Sequence, residues 1–163
     1  MARAGFYAVE SGKISFRRDG HWYSDDERIE NPRIALLFSR GLKRDPDGGY
    51  YLQVAEERAP VTVEDTPYVV VTVEDAPDDG LTVVINDETR EPLDPATLAV
   101  GADNVLYCAV KDGQFRARFL RSAYYHLADR FVAAADGQSF AIAIGDRRYP
   151  LRRAGGADPD GAN

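Results

Sequence analysis

The sequence of this chain contains the same arrangement of segments twice. In each copy an Asp-Gly turn opens a strand, an apolar segment with helical spacing follows, and a second Asp-Gly turn leads into a returning strand. The first copy comprises residues 19–23, 32–42 and 47–52, and the second comprises residues 112–115, 123–135 and 136–140. Two such units in a chain of 163 residues predict an internal duplication, and the seam between them is a place where a ligand could bind.

Turn residues determine which side chains of the first hairpin are buried. A three-residue loop over residues 18–20, with Gly20 in the left-handed conformation, places Phe16 and Trp22 on one face. A two-residue Asp-Gly loop would instead turn Trp22 away from that face. We expect the three-residue loop because it buries the only Trp of the chain. Tyr23 then faces outward, which makes it a candidate ligand contact.

The helix of the first unit is predicted from its capping residue. Asn31 is a favourable N-cap, and Pro32 suits the first turn because its missing N–H would be unpaired there in any case. Apolar side chains at helical spacing then predict the buried stripe. The stripe consists of Ile34, Leu37, Phe38 and Leu42.

The middle of the chain reads as β structure. Its segments are rich in Val, Thr and Ile, which favour strands, and the predicted strands are residues 50–54, 61–64, 68–74 and 81–86. The segment 87–104 is harder to interpret because Pro92, Pro95 and Gly101 interrupt any long element. We expect only short strands there, near residues 97–100.

The second hairpin turns at Asp112-Gly113, and a two-residue loop sets its register. The expected pairs are Val110 with Phe115, Cys108 with Ala117, and Leu106 with Phe119. This register directs Cys108 into the core and places Tyr107, Arg116 and Arg118 on the opposite face. Ser122 is the expected cap of a second helix over residues 123–135. Its stripe consists of Tyr124, Leu127, Ala128, Phe131 and Ala135.

Composition excludes several classes of protein. A net charge of −7 argues against general nucleic-acid binding and against attachment to an anionic membrane surface. No stretch approaches the roughly 20 apolar residues needed to cross a bilayer, and the N-terminus has no signal-peptide core. One cysteine excludes an intramolecular disulfide. We therefore expect a bacterial-type cytoplasmic protein, with a disordered tail over residues 154–163.

The most informative candidate site is a group of arginines in the second unit. Arg116 and Arg118 project from the same strand face, and Arg121 follows at the entry to the second helix. Guanidinium groups bind phosphate or carboxylate in a bidentate manner, and Tyr107 could stack on a base. The helix N-terminus at Ser122 would add N–H donors. The alternative is a solvated strand face whose arginines pair with acidic residues.

Two acidic repeats, Glu64-Asp65 and Glu74-Asp75, each precede a proline by two positions. Adjacent carboxylates on a strand end point to opposite sides, which suits turn formation better than a shared metal ion. No residue spacing resembles a zinc site, a nucleophile elbow or a phosphate-binding loop. We therefore predict no catalytic residue, no metal ligand and no cofactor.

The order of these segments resembles a bacterial family of uncharacterised proteins, domains of unknown function. The resemblance rests on Asp-Gly-x-Trp-Tyr, a short apolar helix, Asp-Gly-Gly-Tyr-Tyr-Leu and Val-Glu-Asp-Thr-Pro-Tyr-Val-Val-Val, and it covers roughly residues 13–151. It implies a duplicated core, a C-terminal half similar to pleckstrin-homology folds, and a nucleotide-like ligand at the seam with a role in signal transduction. Glu64 lies in the shared pattern, so the resemblance implies a hydrogen bond to its carboxylate across the seam.

Together these observations predict an α+β fold of two repeated units, each a helix on an antiparallel sheet, and the C-terminal unit has a larger curled sheet or a partial barrel. The expected boundaries are residues 1–60, 61–153 and the tail from 154. The predicted function is a ligand-binding or sensor module, with Arg116, Arg118, Arg121, Tyr107, Tyr23 and Glu64 as ligand contacts. The alternatives are a protein-interaction adaptor without a small ligand, and a metal-dependent hydrolase that uses the acidic repeats.

Overall fold

The computed structural model describes residues 13–154, and the chain divides into two compact units. The N-terminal unit extends to Tyr68 and also includes Asn86–Glu88, and the C-terminal unit comprises Val69–Ile85 and the chain from Thr89 onward. The boundary expected near residue 60 falls inside a strand, Glu57–Val63, that pairs on both sides within the N-terminal unit. The expected disordered tail lies, except for Ala154, outside the described residues.

The N-terminal unit packs one helix against one sheet. Its elements are β1 (Ile14–Phe16), β2 (Trp22–Ser24), β3 (Glu27–Arg28), α1 (Pro32–Gly41), β4 (Leu42–Arg44), β5 (Tyr50–Val54) and β6 (Glu57–Val63). In the described part of the chain these strands form a six-stranded sheet in the order β3-β2-β1-β6-β5-β4. The pairing of β1 with β6 is parallel, and the other pairings are antiparallel.

The first hairpin has the predicted three-residue loop. Phe16 pairs with Trp22, the Arg17 amide donates to the His21 carbonyl at 3.1 Å, and Gly20 has a φ of 84°. A positive φ is accessible to glycine because it has no Cβ to clash with the backbone. Phe16 and Trp22 are both buried, as expected.

Helix α1 begins as predicted but buries a different set of residues. The Asn31 side-chain oxygen accepts from the Arg33 amide at 2.9 Å, and Phe38 is fully buried. The expectation for Leu37 is wrong, because its side chain is 42% exposed, and Leu42 begins β4 instead of continuing the helix. A polar residue, Ser39, is buried instead.

Trp22 is the centre of the N-terminal core. Its ring lies 4.9 Å from the Phe16 ring and 5.6 Å from the Phe38 ring, the latter in an edge-to-face arrangement. The indole Nε1 donates to Ser39 Oγ at 2.9 Å, and Asn86 Nδ2 donates to the same oxygen at 3.0 Å. Ser39 is therefore buried because its hydroxyl satisfies the indole N–H, which would otherwise lack a partner.

The C-terminal unit consists of two sheets in the described part of the chain. Its elements are β7 (Tyr68–Asp75, whose first residue belongs to the N-terminal unit), β8 (Leu81–Ile85), β9 (Arg90–Pro92), β10 (Ala99–Val100), β11 (Leu106–Val110), β12 (Phe115–Phe119), α2 (Arg121–Leu127), β13 (Phe131–Ala133), β14 (Phe140–Ile144), β15 (Arg147–Pro150) and β16 (Arg152–Arg153). Short 3₁₀ turns occupy Pro95–Thr97, Ala102–Asn104 and Ala128–Arg130. The larger sheet has the order β16-β10-β11-β12-β7-β8-β9, and the smaller one is β13-β14-β15.

The second helix is shorter than the sequence predicts. Helix α2 ends at Leu127, and Phe131 lies in β13, where it pairs with Ile142. The expected cap is also wrong: Leu120 occupies the N-cap position, and the Ser122 hydroxyl donates to the Val71 carbonyl at 3.0 Å. Among the residues described, no helix is long and apolar enough to cross a membrane.

The same order of elements occurs in both units. A hairpin, a helix and a three-strand meander follow one another as β1–β2, α1 and β4–β6, and again as β11–β12, α2 and β13–β15. The meander of the N-terminal unit joins the sheet of its hairpin through β1 and β6. In the C-terminal unit the meander forms its own sheet. The fold is therefore a mixed α and β architecture, rich in sheet, in which the predicted order of elements recurs.

Candidate functional site

A cleft beside helix α2 in the C-terminal unit combines an apolar cavity with an arginine-lined one. The apolar cavity has a volume of about 370 Å³. Its lining residues include Val100, Leu106, Tyr124, Phe131, Phe140 and Leu151, and also Arg152 and Arg153. The meander β13–β15 contributes Phe140, which is 61% exposed although it is a large apolar side chain. An exposed aromatic wall of this kind is typical of a surface that contacts a ligand or a partner.

The arginine cavity adjoins the apolar cavity at Asn104, Leu106 and Tyr124. Its volume is also about 370 Å³, and Arg118 and Arg121 line it. Strand β12 positions Arg118, and Arg121 is the first residue of α2. We call the two cavities together the α2 cleft. The structure thus brings two of the predicted ligand-contact arginines together.

The other two candidates of this group contact each other instead. The register of β11 and β12 is the predicted one, with Cys108 opposite Ala117 and Tyr107 opposite Arg118. The Arg116 guanidinium lies 4.5 Å from the centre of the Tyr107 ring, a cation–π contact. A Cβ at Gly101 would lie 2.8 Å from Tyr107 Cε2, so the ring also packs closely on that backbone. Neither Arg116 nor Tyr107 lines the α2 cleft.

The wall of the arginine cavity includes a backbone segment in an unusual conformation. Asp103 and Asn104 have φ values of 58° and 59°, in the left-handed region. Asp and Asn tolerate this region better than other non-glycine residues, at a small energetic cost. Asp103 also lines the arginine cavity, and its negative charge offsets part of the positive charge there.

Tyr23 and Glu64 belong to the N-terminal unit and have partners there. The Tyr23 hydroxyl donates to Asp19 at 2.5 Å, and the Arg17 guanidinium lies 3.9 Å from its ring centre. The hydrogen bond to Asp19 raises the pKa of Tyr23. Glu64 accepts from the Arg18 amide at 2.9 Å, which ties the end of β6 to the first hairpin loop. The contact of Glu64 is therefore with its own unit.

The acidic repeats form ion pairs with arginine. Glu74 lies 3.1 Å from Arg90, and Asp75 lies 3.2 Å from Arg130. Within residues 13–154, no group of three or more His, Cys, Asp or Glu side chains is arranged to hold a metal ion. The carboxylates of the second repeat are therefore paired with arginines.

Cys108 lies in the core of the C-terminal unit, as its register predicts. Its side chain is buried, and desolvation raises the pKa of the thiol to about 12. Glu91 contributes to the same shift through its negative charge. Since the thiolate is the reactive form, this cysteine is protected from oxidation and metal binding in the folded protein.

The raised pKa of Cys108 predicts a loss of stability in alkali. The folded protein retains the thiol proton up to about pH 12, whereas the unfolded chain loses it near pH 9.0. The stabilisation is complete below pH 9 and disappears as the pH rises towards 12. The difference in unfolding free energy between the wild type and Cys108→Ala should therefore be constant below pH 8 and shrink above pH 9. Urea titrations under reducing conditions measure it, and a constant difference up to pH 11 would contradict the burial.

Sequence reasoning missed the residues that the meander and the last strand bring to the α2 cleft. The spacing of the apolar residues predicts a helix at Phe131, whereas the structure has a strand there, and the candidate residues predicted from the sequence do not include Arg152 and Arg153. One available signal was the local charge balance, because residues 114–154 contain far more Arg than acidic residues. The arginines are Arg116, Arg118, Arg121, Arg130, Arg147, Arg148, Arg152 and Arg153, and the acidic residues are Asp129, Asp136 and Asp146.

Comparisons with known proteins identify relatives but no activity. Residues 8–66 match the family model for the N-terminal domain of DUF1285, a domain of unknown function. A DUF1285 family protein from Silicibacter pomeroyi DSS-3 has a similar structure, with a TM-score of 0.68, 24% identity, and coverage of 86% of this chain and 80% of the other. One from Shewanella baltica OS155 gives a TM-score of 0.58 and 24% identity, with coverage of 74% and 93%. No significant match was found among curated proteins. The predicted resemblance to an uncharacterised bacterial family is therefore confirmed.

Proposed function

We propose that this chain, which shares its fold with two DUF1285 family proteins, is a non-catalytic cytoplasmic binding or sensor module for a small anionic ligand. The ligand would place its anionic group in the arginine cavity and its apolar part in the adjoining apolar cavity. The observation that supports this proposal is that Arg118 and Arg121 line one cavity, which opens onto a second, aromatic-walled cavity of equal volume.

The chemistry of the α2 cleft matches a nucleotide-like molecule. Ligand sites typically have volumes of roughly 300–1,000 Å³, apolar walls and a few charged groups. Arg118 and Arg121 offer planar donor groups that suit phosphate or carboxylate oxygens. Tyr124 lines both cavities and could stack on a planar base while the anionic group lies beside it. A nucleotide-like ligand would fit a role in signal transduction.

A duplicated origin forms part of the same proposal. The recurrence of hairpin, helix and three-strand meander in both units supports a duplication. The C-terminal unit, with its larger sheet and single α-helix in the described residues, would be the half similar to pleckstrin-homology folds. Divergence of the meander into a separate sheet would have opened the α2 cleft in that half, because Phe131 and Phe140 come from this sheet.

Thermal melting in the presence of a ligand panel tests the proposal. The panel contains nucleoside mono-, di- and triphosphates and inorganic phosphate, each with and without magnesium. A ligand at 100 times its Kd should stabilise the protein by about 2.7 kcal/mol. For a chain of this size the melting temperature should rise by roughly 5–10 °C.

The matched variants are Arg118→Gln with Arg121→Gln, and Arg148→Gln as the control. Arg148 is exposed in the same unit but lines neither cavity of the α2 cleft. The ligand-induced shift should vanish in the double variant and persist in the control. A flat panel for the wild type, or an equal shift in all three proteins, would overturn the proposal.

A protein-interaction adaptor is the second candidate, and a specific observation favours it. Tyr125 and Phe140 are 62% and 61% exposed and lie at the two cavities of the α2 cleft. Large exposed aromatic side chains are common anchors in protein interfaces. Under this alternative a partner's side chains would fill the apolar cavity, and no small molecule would shift the melting temperature. The metal-dependent hydrolase gains no support, since Glu74 and Asp75 are paired with arginines.

A further inference from the structure

The described part of the chain contains five Asp-Gly pairs, and each lies in a loop that joins two consecutive strands. An Asp-Gly pair is chemically reactive because glycine has no Cβ to shield its amide nitrogen from the preceding side-chain carboxyl. Attack of that nitrogen on the carboxyl closes a five-membered succinimide ring. The five pairs are Asp19-Gly20, Asp47-Gly48, Asp79-Gly80, Asp112-Gly113 and Asp136-Gly137, and a sixth, Asp160-Gly161, lies outside the described residues.

Hydrogen bonds hold four of the five pairs. The carboxylate donors are the His21 amide and the Tyr23 hydroxyl for Asp19, the Gly49 amide for Asp47, and the Gln138 and Ser139 amides with the Ser139 hydroxyl for Asp136. In these three loops the amide of the Asp-Gly glycine also donates to a backbone carbonyl, at 2.9–3.0 Å. In the fourth loop the Gly80 amide donates to Asp78 at 3.1 Å. These bonds must break before the ring can close.

The pair Asp112-Gly113 is held by neither kind of bond. Within residues 13–154 its carboxylate and its glycine amide form no hydrogen bond, and both residues are exposed. A Cβ built at Gly113 would have no neighbour within 4 Å, so the space around this amide is open. The residues on either side are anchored, since the Lys111 amide donates to Glu91 at 3.0 Å and the Gln114 amide donates to the Lys111 carbonyl at 3.1 Å.

The backbone of the same loop is strained. Lys111, Asp112 and Gly113 have φ values of 57°, 58° and 79°, so three consecutive residues lie in the left-handed region. This region is unfavourable for lysine, which has neither the freedom of glycine nor a short side chain that bonds to the local backbone. An isoaspartyl residue carries an extra methylene in the backbone. That methylene adds a torsion through which the strain of the loop can relax.

We propose that Asp112 is a site of spontaneous isoaspartate formation, and that it reacts faster than the other described Asp-Gly pairs in the folded protein. The Gly113 nitrogen attacks Cγ of the protonated Asp112 carboxyl. The N–Cγ bond forms, the Cγ–OH bond breaks, and the amide proton leaves with the hydroxyl as water. Water then opens the ring at one of its two carbonyls. Opening at the backbone carbonyl leaves the chain running through Cγ, and opening at Cγ restores aspartate, so no oxidant or cofactor is required.

Peptide mapping of the folded protein after prolonged incubation at neutral pH measures isoaspartate at each pair. Trypsin places all six Asp-Gly pairs in different peptides, and Asp112 lies in the peptide of residues 112–116. Synthetic peptides with aspartate or isoaspartate serve as chromatographic standards. Isoaspartate should form at Asp112 about tenfold or more faster than at Asp19 or Asp136, because a single charge-assisted hydrogen bond lowers the population of the free carboxyl by about that factor.

The chain unfolded in guanidinium chloride is the reference, because no carboxylate is held there and the pairs should react at similar rates. Asp112→Asn and Asp136→Asn are matched variants, since Asn-Gly closes the same ring with loss of ammonia and the product differs in mass. The first should deamidate about tenfold or more faster than the second while both remain folded by their melting curves. Equal rates at Asp112 and Asp136 in the folded protein, or a preference for Asp112 that persists in the unfolded chain, would overturn the proposal.

Discussion

Replacement of Trp22 by alanine should lower the free energy of unfolding by about 3–5 kcal/mol, the range measured when a buried aromatic side chain is truncated in a core. Trp22 is fully buried between Phe16 and Phe38, so the substitution leaves a cavity that rigid neighbours cannot fill. It also removes the donor that pairs with Ser39. Denaturant titration followed by circular dichroism measures the loss, since the variant has no Trp to report by fluorescence.

The hydrogen bond and the packing can be separated with two smaller changes. Trp22→Phe keeps a ring between its neighbours but removes the indole N–H. Ser39→Ala keeps the ring and leaves that N–H buried without its acceptor, at a cost of about 1–3 kcal/mol. Leu37→Ala is the matched control from the exposed side of α1 and should cost less than either. A loss below 1 kcal/mol for Trp22→Ala would show that the N-terminal core is not organised around this residue.

The parts of the fold that the sequence predicts correctly are governed by local chemistry. Gly20 fixes the first hairpin loop because a left-handed residue is required at that point, and this places Trp22 inside. Asn31 and Pro32 determine where α1 begins through capping and the absence of an N–H. The register of β11 with β12 follows from the Asp-Gly turn and the alternation of apolar residues. In each case the deciding interaction lies within a few residues of the signal.

The errors arise where distant segments outweigh local preference. The spacing of Leu127 and Phe131 fits a helix, yet Phe131 pairs with Ile142 in an antiparallel sheet. The pairing of β13 with β14 therefore decides the conformation of Phe131. Leu37 fits the apolar stripe of α1, but Ser39 is buried instead because Trp22 and Asn86 bond to it. Such partners, separated in sequence, leave no periodic signal.

The candidate site also has residues placed by local sequence and residues placed by long-range strand pairing. Arg118 and Arg121 are close in sequence, at the junction of a strand and a helix, so the pattern alone places them together. Arg152 reaches the cleft only because β16 pairs with β10, which is more than fifty residues earlier in the chain. Arg116 shares the strand face of Arg118, but its contact with Tyr107 removes it from the cleft. The pairing of β16 with β10 leaves no local signal in the sequence and is seen only in the three-dimensional structure.

Reversal of one charge in the arginine cavity should abolish anion binding. Arg118→Glu is expected to weaken the affinity for the phosphate or carboxylate ligand by about 100-fold or more. A hydrogen bond to a charged group contributes about 1.5–3 kcal/mol, and every 1.4 kcal/mol corresponds to a tenfold change. The new carboxylate also repels the anion that lies beside Arg121 and Asp103. This repulsion is stronger in a cavity than in bulk water because the effective dielectric constant is lower there.

Asp103→Asn provides the opposite test in the same cavity. It removes a negative charge from the wall without changing the size of the side chain, and Asn tolerates the left-handed φ of this position. Anion affinity should therefore increase, and the increase should diminish as salt screens the charges. If Arg118→Glu and Asp103→Asn, both folded by their melting curves, shift the affinity in the same direction, charge in this cavity does not govern binding. The apolar cavity would then be the principal contact, as the adaptor alternative requires.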